Sequence, residues 1–461
     1  MKIFFNVKNF GKIDNARIDI SNFVVFVGNN NSGKTQLMEL IYGVLQRVAN
    51  MYPEISNQNF TNGNMSIRQA DILEILSNIN QCLQRDKNLI IEDIFHQSIP
   101  LDEMFLEFDE IDKWYEIKEV TAENCQEVLS QTTFNKELKV KILKDISEKK
   151  YVFWAERDAG ENKILHTGMI SIFYGTFDDM AISIVVEVII QRIMGLYSAS
   201  GKNMLFLPAS RMGLLLLYRY YFSERSEEYQ RVSPERETVD SGIVKPVSDF
   251  LSFLLKYSYN ETKANKYRDI IGFINENIIE GTLNEVGEVT TYIPRDQNVE
   301  LPLYLSSSMI NEIDPIMKML TDSTRYRYLF YDEVETSLHP SKQIEIVKLL
   351  NRLNNAGLRM IISTHSDTMA TKINNLLLLS QQDLDMESKE KLLRENGLNV
   401  CEKDLLKSSD FHVYQFVNEK GKSTVQELEF RKLPYTGYDF SLFEDSAAGL
   451  YEESKIALGM K

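Results

Sequence analysis

An α/β protein, with a mixed or parallel sheet flanked by helices and a further lobe inserted into it, is the fold class that this 461-residue sequence predicts. Three observations carry it. The apolar strand Phe23-Val24-Val25-Phe26-Val27 runs into a glycine-bounded loop, Gly28-Asn29-Asn30-Asn31-Ser32-Gly33-Lys34-Thr35, and then into a helix. Two more short apolar strands, 327–331 and 358–363, follow far downstream with an amphipathic helix between them. Strand, helix and strand alternating around such a loop imply parallel strands covered on both faces. The length exceeds one hydrophobic core, so two or three lobes are expected.

Taken in order, residues 1 to about 27 read as two or three strands with a turn at Asn9-Phe10-Gly11-Lys12. The start alternates like a strand and lacks the basic-then-apolar pattern of a signal peptide. After the loop, Leu37, Met38, Leu40, Ile41, Val44, Leu45 and Val48 recur at three- and four-residue spacing, which gives the helix one apolar face. With residues 1–52 as the first part of the main domain, 53–160 read as a mainly helical insertion. In it, Ile72, Leu73, Ile75, Leu76, Ile79 and Leu83 form one face of a helix, and 151–173 are richer in strand. Residues 161–222 return to the main domain through an apolar helix near 180–197 and the strand Met204–Leu207. Residues 223–280 carry a charged, turn-rich run followed by helices, and 281–461 complete the domain with a C-terminal extension.

The bulk composition narrows the function. At 43% hydrophobic and 26% charged residues the chain is an ordinary globular one. A net charge of −16 disfavours indiscriminate binding to a polyphosphate, which needs a basic surface. Three dispersed cysteines, Cys82, Cys125 and Cys401, fit neither a disulfide framework nor a CxxC metal site, so a reducing, cytoplasmic setting is expected. The apolar stretches 182–196 and 205–221 carry Glu187, Arg192, Arg211 and Arg219, and read as buried elements, with no membrane partner.

The loop is a phosphate cradle. Gly28 and Gly33 let successive N–H groups turn inward, Lys34 can reach the β- and γ-phosphates, and the Thr35 hydroxyl can hold Mg²⁺. The helix that follows, from Gln36 onward, points its positive end at the phosphates. Downstream, the strand ending in Asp332-Glu333 supplies what a nucleoside triphosphatase needs beside such a loop: Asp332 for the metal and Glu333 to orient the attacking water. Strand 358–363 ends in Thr364-His365-Ser366, placing a histidine on the rim where ligands of α/β sheets bind.

In this order the motifs resemble those of the ABC-type ATPases, within them the RecF, SMC and OLD-like branch, over about residues 1–50 and 204–380. The resemblance implies an ABC-type P-loop ATPase head. It also implies that Gly28–Thr35 with Gln36 is Walker A, Asp332 and Glu333 are Walker B with the catalytic base, Glu335–Pro340 is the D-loop region and His365 is the switch histidine. ATP and Mg²⁺ are the implied cofactors. Leu303–Glu312 occupies the place of the family's signature helix, where a serine and the helix amino end contact the γ-phosphate held by an opposite subunit. Ser306, Ser307 and Ser308 are the corresponding serines, although no Leu-Ser-Gly-Gly-Gln is present. The glutamine loop has no clear counterpart, with Gln69 and Gln191 equivalent choices. Arg211 is open between a phosphate contact, a subunit contact and a structural ion pair.

The segment Leu207-Pro208-Ala209-Ser210-Arg211-Met212-Gly213 is similar to one in standalone OLD-like ATPases of bacterial antiphage operons. That similarity implies an ATPase sensor or scaffold like the ATPase subunit of PARIS-type or Septu-type systems. Such a subunit works as a homodimer or larger homo-oligomer beside a separate effector, often a nuclease. No nuclease is expected on this chain, since Asp383-Leu384-Asp385 lacks an identifiable upstream glutamate partner. A RecF-like or SMC-like ATPase acting on DNA is the alternative, which keeps nucleic acid open as a partner. An ABC transporter motor is disfavoured by the missing glycine signature and the long insertion.

Overall fold

A computed structural model describes residues 2–51, 60–61, 64–109, 138–145, 150–157, 204–215, 242–256, 267–286, 289–297, 299–321, 326–406, 411–419, 421–432, 437–440 and 451–457, together with positions 186, 190, 193–195 and 449. The chain opens with β1 (Lys2–Phe10), β2 (Ile13–Asp19), β3 (Phe23–Gly28) and α1 (Lys34–Ala49). Next come β4 (Phe60–Thr61), β5 (Asn64–Arg68), α2 (Gln69–Arg85), α3 (Lys87–Phe95), β6 (Glu103–Asp109), β7 (Leu138–Asp145) and β8 (Lys150–Arg157). The middle holds β9 (Met204–Leu207), α4 (Lys245–Lys256), α5 (Arg268–Phe273) continuing as a π-helical turn over Ile274–Ile278, β10 (Gly281–Val286), β11 (Val289–Pro294) and β12 (Leu301–Pro302). The last third holds α6 (Ser308–Thr321), β13 (Tyr328–Tyr331), α7 (Pro340–Asn355), β14 (Arg359–Ser363), α8 (Asp367–Gln381), α9 (Met386–Glu395), β15 (Phe411–Glu419) and β16 (Lys422–Leu428).

Nine strands form one mixed sheet in the order β6-β1-β2-β16-β15-β3-β14-β13-β9. From β15 to β9 every neighbouring pair is parallel. The β1–β2, β1–β6 and β15–β16 pairs are antiparallel. Alternation sends the two faces of each parallel strand into separate cores. Val24, Phe26, Phe206, Tyr328, Phe330 and Ile361 join the core under α1, α2 and α3. Phe23, Val25, Val27, Leu205, Leu207, Leu329, Tyr331, Met360 and Ile362 face the core under α4 to α8. The apolar face expected for α1 is buried from Leu37 to Val48. On α2 the buried apolar residues are Ile72, Ile75, Leu76, Ile79 and Leu83, whereas Leu73 is exposed because it lies about 100° round the helix from Ile72.

Two expectations change. Residues 53–160 are not mainly helical among those described: two helices are accompanied by five strands, of which β4, β5, β8 and β7 form a separate four-stranded sheet and β6 extends the main one. Leu138-Lys139-Val140-Lys141-Ile142 alternates apolar and polar residues with period two, and Tyr151-Val152-Phe153-Trp154 is a short β-branched and aromatic run, both strand signatures. The C-terminal extension is also structural. Although the family resemblance stopped near residue 380, β15 and β16 fill the middle of the main sheet between β3 and β2. Most of the helix expected near 180–197, and residues 223–241 of the charged run 223–246, lie outside the described residues. No helix among the described residues is long and apolar enough to cross a membrane.

Candidate nucleotide site

The site forms at the carboxyl ends of β3, β14 and β13, three adjacent parallel strands. The glycines of the loop are demanded by geometry. Gly28 has φ 149°, and a Cβ on it would sit 2.6 Å from the Phe416 carbonyl oxygen of β15. Gly33, at the amino end of α1, has φ 93°. Both backbones lie where glycine is favoured. Lys34 is 5% exposed, and its ammonium donates to the Gly28 oxygen at 3.0 Å, the Asn29 oxygen at 2.8 Å and the buried Ser32 hydroxyl at 3.3 Å. Burial pushes this ammonium down to about 8, against the opposing charges of Asp332, Glu333 and Glu335. Asn29, Asn30, Asn31 and Thr35 are exposed, and Gln36 is half-buried with its amide beside Gly11.

Thr35 and Asp332, 297 positions apart, meet directly: Thr35 Oγ1 donates to Asp332 Oδ2 at 2.8 Å. Asp332 is 2% exposed. Its other oxygen accepts from the Ser363 hydroxyl at 2.5 Å, and that same hydroxyl accepts the Glu333 backbone N–H at 2.8 Å. Ser363 ends β14, so the strand between the cradle and the acid pair ties both acids in place. Glu333 has φ 46°, a left-handed conformation unusual for a residue with a side chain, and that turn carries its carboxylate away from the strand line of Asp332. A hydroxyl and a carboxylate oxygen in contact at the lip of an anion cradle fit a hard cation such as Mg²⁺, which takes one or two protein carboxylates and leaves further positions to phosphate and water. No three His, Cys, Asp or Glu side chains gather as a metal site among the described residues.

His365 follows Ser363 by two residues. Its backbone N–H donates to Glu335 Oε1 at 2.5 Å. Burial, and after it the Lys34 charge, holds the imidazole below its ordinary value, with Glu335, Glu333 and Asp332 acting in the opposite sense. Cradle, acid pair and His365 therefore share one electrostatic neighbourhood. On α1, one turn past Thr35, burial pushes the Glu39 carboxyl up to about 8, and the Asp332 charge adds to this.

Other expected residues fall elsewhere. His339 caps the amino end of α7 and accepts from the Ser341 N–H. Lys12 is exposed in its turn. Gln69 opens α2, and Gln191 lies outside the described residues. Ser306 does not face outward: its hydroxyl donates to the Leu303 oxygen at 2.6 Å and accepts from Asn311 Nδ2 at 3.1 Å. Ser307 and Ser308, at the amino end of α6, are exposed. Among the described residues no hydrogen bond joins these three serines to the chain's own cradle. Arg211 is fully buried in an ion pair with Glu312 of α6, which excludes a direct phosphate contact in this arrangement. Sequence reasoning passed over Ser363, a serine ending an apolar run; a polar residue at the carboxyl end of a central parallel strand is the signal that marks it.

Residues 1–370 match the model of a protein family described as the AAA ATPase domain. The chain belongs to that family. It is an ATPase and binds nucleotide, and the α/β fold expected from the sequence, a mixed sheet flanked by helices with the glycine-bounded loop at its strand ends, is the fold observed. Among solved structures, it is similar to an SmcHead bound to the C-winged helix domain of ScpA, at 13% identity and TM-score 0.38, covering 93% of this chain and 97% of that one. It is also similar to the SMC head domain from Thermotoga maritima, at 12% identity and TM-score 0.36, covering 93% and 100%. A third is an Smc head domain with an extended coiled coil bound to the C-terminal domain of ScpA derived from Pyrococcus furiosus, at 12% identity and TM-score 0.36, covering 98% of each chain. No curated protein matches the chain.

Proposed function

We propose that the chain hydrolyses ATP at an interface between two copies and uses the cycle to regulate a separate effector, in the setting of bacterial antiphage defence. The observation that carries the shared site is the division of labour within one chain. Thr35, Asp332, Ser363 and Glu333 are joined by hydrogen bonds and Lys34 is bonded within the loop, whereas the exposed Ser307–Ser308 end of α6 has no hydrogen bond to them among the described residues. A helix amino end with free hydroxyls suits an anion held by another copy. The defence setting rests on the similarity of Leu207–Gly213 to a segment of antiphage ATPases.

In this reading Lys34 and the loop N–H groups hold the phosphates, while Thr35 and Asp332 hold Mg²⁺. The ion when bound supplies positive charge next to the phosphates. Glu333 accepts a hydrogen bond from the attacking water and orients it, and His365 donates or accepts near the γ-phosphate as a neutral imidazole. Loss of this orientation in Glu333→Gln is expected to lower turnover by about 10²–10⁴-fold with ATP still bound. Lys34→Ala is expected to abolish binding. Wild-type turnover by Glu333→Gln refutes the role of Glu333, and full activity in a strictly monomeric protein refutes the shared site.

The effector is tested by purifying the chain with its neighbouring gene products, with and without ATP, and by phage challenge of cells carrying wild type or Glu333→Gln. Equal protection by both, with no protein joining or leaving on ATP addition, refutes the regulatory role. A DNA-stimulated, salt-sensitive ATPase favours the DNA-acting alternative instead.

A further inference from the structure

We propose that Arg211 is a positioning residue that couples helix α6 to the backbone of Glu333, so that the seat of α6 sets the orientation of the Glu333 carboxylate. The proposal rests on the reading of Glu333 as the residue that orients water. Arg211 follows β9 and is fully buried. Its Nη1 donates to the Pro208 oxygen at 3.0 Å and the Asp332 oxygen at 2.9 Å, and its Nη2 donates to the Glu333 oxygen at 3.2 Å. On its Nε side it pairs with the carboxylate of Glu312, itself fully buried on α6. The guanidinium carbon lies 4.6 Å from the ring centre of Tyr331, the residue before Asp332. One rigid group thus spans the acid strand, the turn after it and the neighbouring helix.

Two physical arguments turn this contact into a coupling. Parting a buried cation from its counter-charge leaves two uncompensated charges out of water, so Arg211 follows Glu312 when α6 moves. The guanidinium is planar, and its donors are fixed relative to one another, so a displacement on the Glu312 side is passed to the Asp332 and Glu333 carbonyls on the other. Glu333 receives it at a sensitive point, since its left-handed backbone is held by Ser363 on the N–H side and Arg211 on the carbonyl side. From Ile310 to Thr321 α6 is buried, so its exposed serine end is where a ligand or partner copy can push.

Arg211→Lys and Glu312→Gln in the full chain test this. A lysine keeps the charge but cannot serve Glu312 and three carbonyls together, and glutamine keeps the volume but removes the pair. Each is expected to lower kcat by about tenfold or more while the affinity for a fluorescent ATP analogue changes by less than about twofold. Because both act through one link, the double variant should be no slower than the slower single. Turnover within about twofold of wild type in both variants, affinity falling in step with kcat, or multiplying losses overturns the coupling. Should Arg211→Lys fail to fold, the isosteric Glu312→Gln decides by the same criteria. Glu333→Gln separates the two claims: if it is inactive while the other variants are normal, the coupling alone fails. If it turns over at the wild-type rate, the reading of Glu333 fails and takes the coupling with it.

Discussion

Replacing Ser363 by alanine removes one oxygen that holds both acids of the site. The hydroxyl is fully buried, donates to Asp332 Oδ1 at 2.5 Å and accepts the Glu333 N–H at 2.8 Å. Losing a hydrogen bond to a charged group costs about 1.5–3 kcal/mol, and leaving a buried N–H unpaired costs about 1–3 kcal/mol. Because the two bonds share an oxygen they are not independent, so a total of about 2–5 kcal/mol is expected. The backbone share can be read locally. At about 1.4 kcal/mol per decade, exchange of the Glu333 amide with deuterium should accelerate by about 5- to 150-fold, seen in a peptide covering residues 328–338. With Glu333 untied, kcat should drop by about tenfold or more, while ATP affinity, carried by Lys34 and the loop, changes little. Ser363→Thr, which keeps the hydroxyl, should recover part of the protection. Unchanged amide exchange together with normal turnover in Ser363→Ala refutes the placement of this serine between the two acids.

Three other outcomes follow from the same geometry. Gly28→Ala forces a Cβ to 2.6 Å from the Phe416 oxygen and should cost about 1–3 kcal/mol in chemical denaturation, with loss of ATP binding, since the strand under the cradle must shift. Glu39, raised to about 8 when folded, stays protonated while its unfolded counterpart ionises; the folded state therefore loses stability as pH rises from about 4.5 to about 8, by at most about 1.4 kcal/mol per unit. Glu39→Gln should be neutral below that window and stabilising above it, and denaturation midpoints at pH 4.5 and 8.5 that shift equally refute the burial of this carboxyl. A chain ending at residue 406 lacks β15 and β16 and should fail to fold or bind ATP, as judged by circular dichroism and nucleotide fluorescence.

Local signals in the chain marked the cradle, its helix and the two acid- and histidine-bearing strands, because each is a contiguous pattern: an apolar run with a glycine loop or charged end at a defined spacing. What stayed hidden depends on contacts between distant positions. Ser363 looks like any serine closing a strand until β14 is placed between β3 and β13. Arg211 was open among three roles, and only the placement of α6 beside the segment after β9 shows it paired with Glu312. Ser306 and Ser307 are neighbours in sequence, yet the turn at Leu303 draws one hydroxyl inward and leaves the other exposed. The strands of the insertion carried their own signals, an alternation at Leu138–Ile142 and an aromatic and β-branched run at Tyr151–Trp154, overshadowed by the stronger helical pattern of 69–95.

The position of β15 shows why the cradle is not a self-contained unit. Its strand, β3, pairs with β14 on one side and with β15 on the other, so half of its ladder bonds come from residues nearly four hundred positions away. Without β15 and β16 the sheet would separate into β6-β1-β2 and β3-β14-β13-β9, leaving β3 as an apolar edge strand with unpaired amides. The Gly28 backbone also rests on Phe416, which means that the turn holding Lys34 takes its shape from the C-terminal extension. Asp19 of β2 donates its N–H to the Tyr414 hydroxyl at 2.8 Å, closing the other flank of the same strand. The segment beyond the family resemblance is therefore part of the nucleotide site's foundation. Contacts of such sequence separation form late, after the loop-closure cost has been met, so ATP affinity should appear only at the last folding step rather than with the formation of α1.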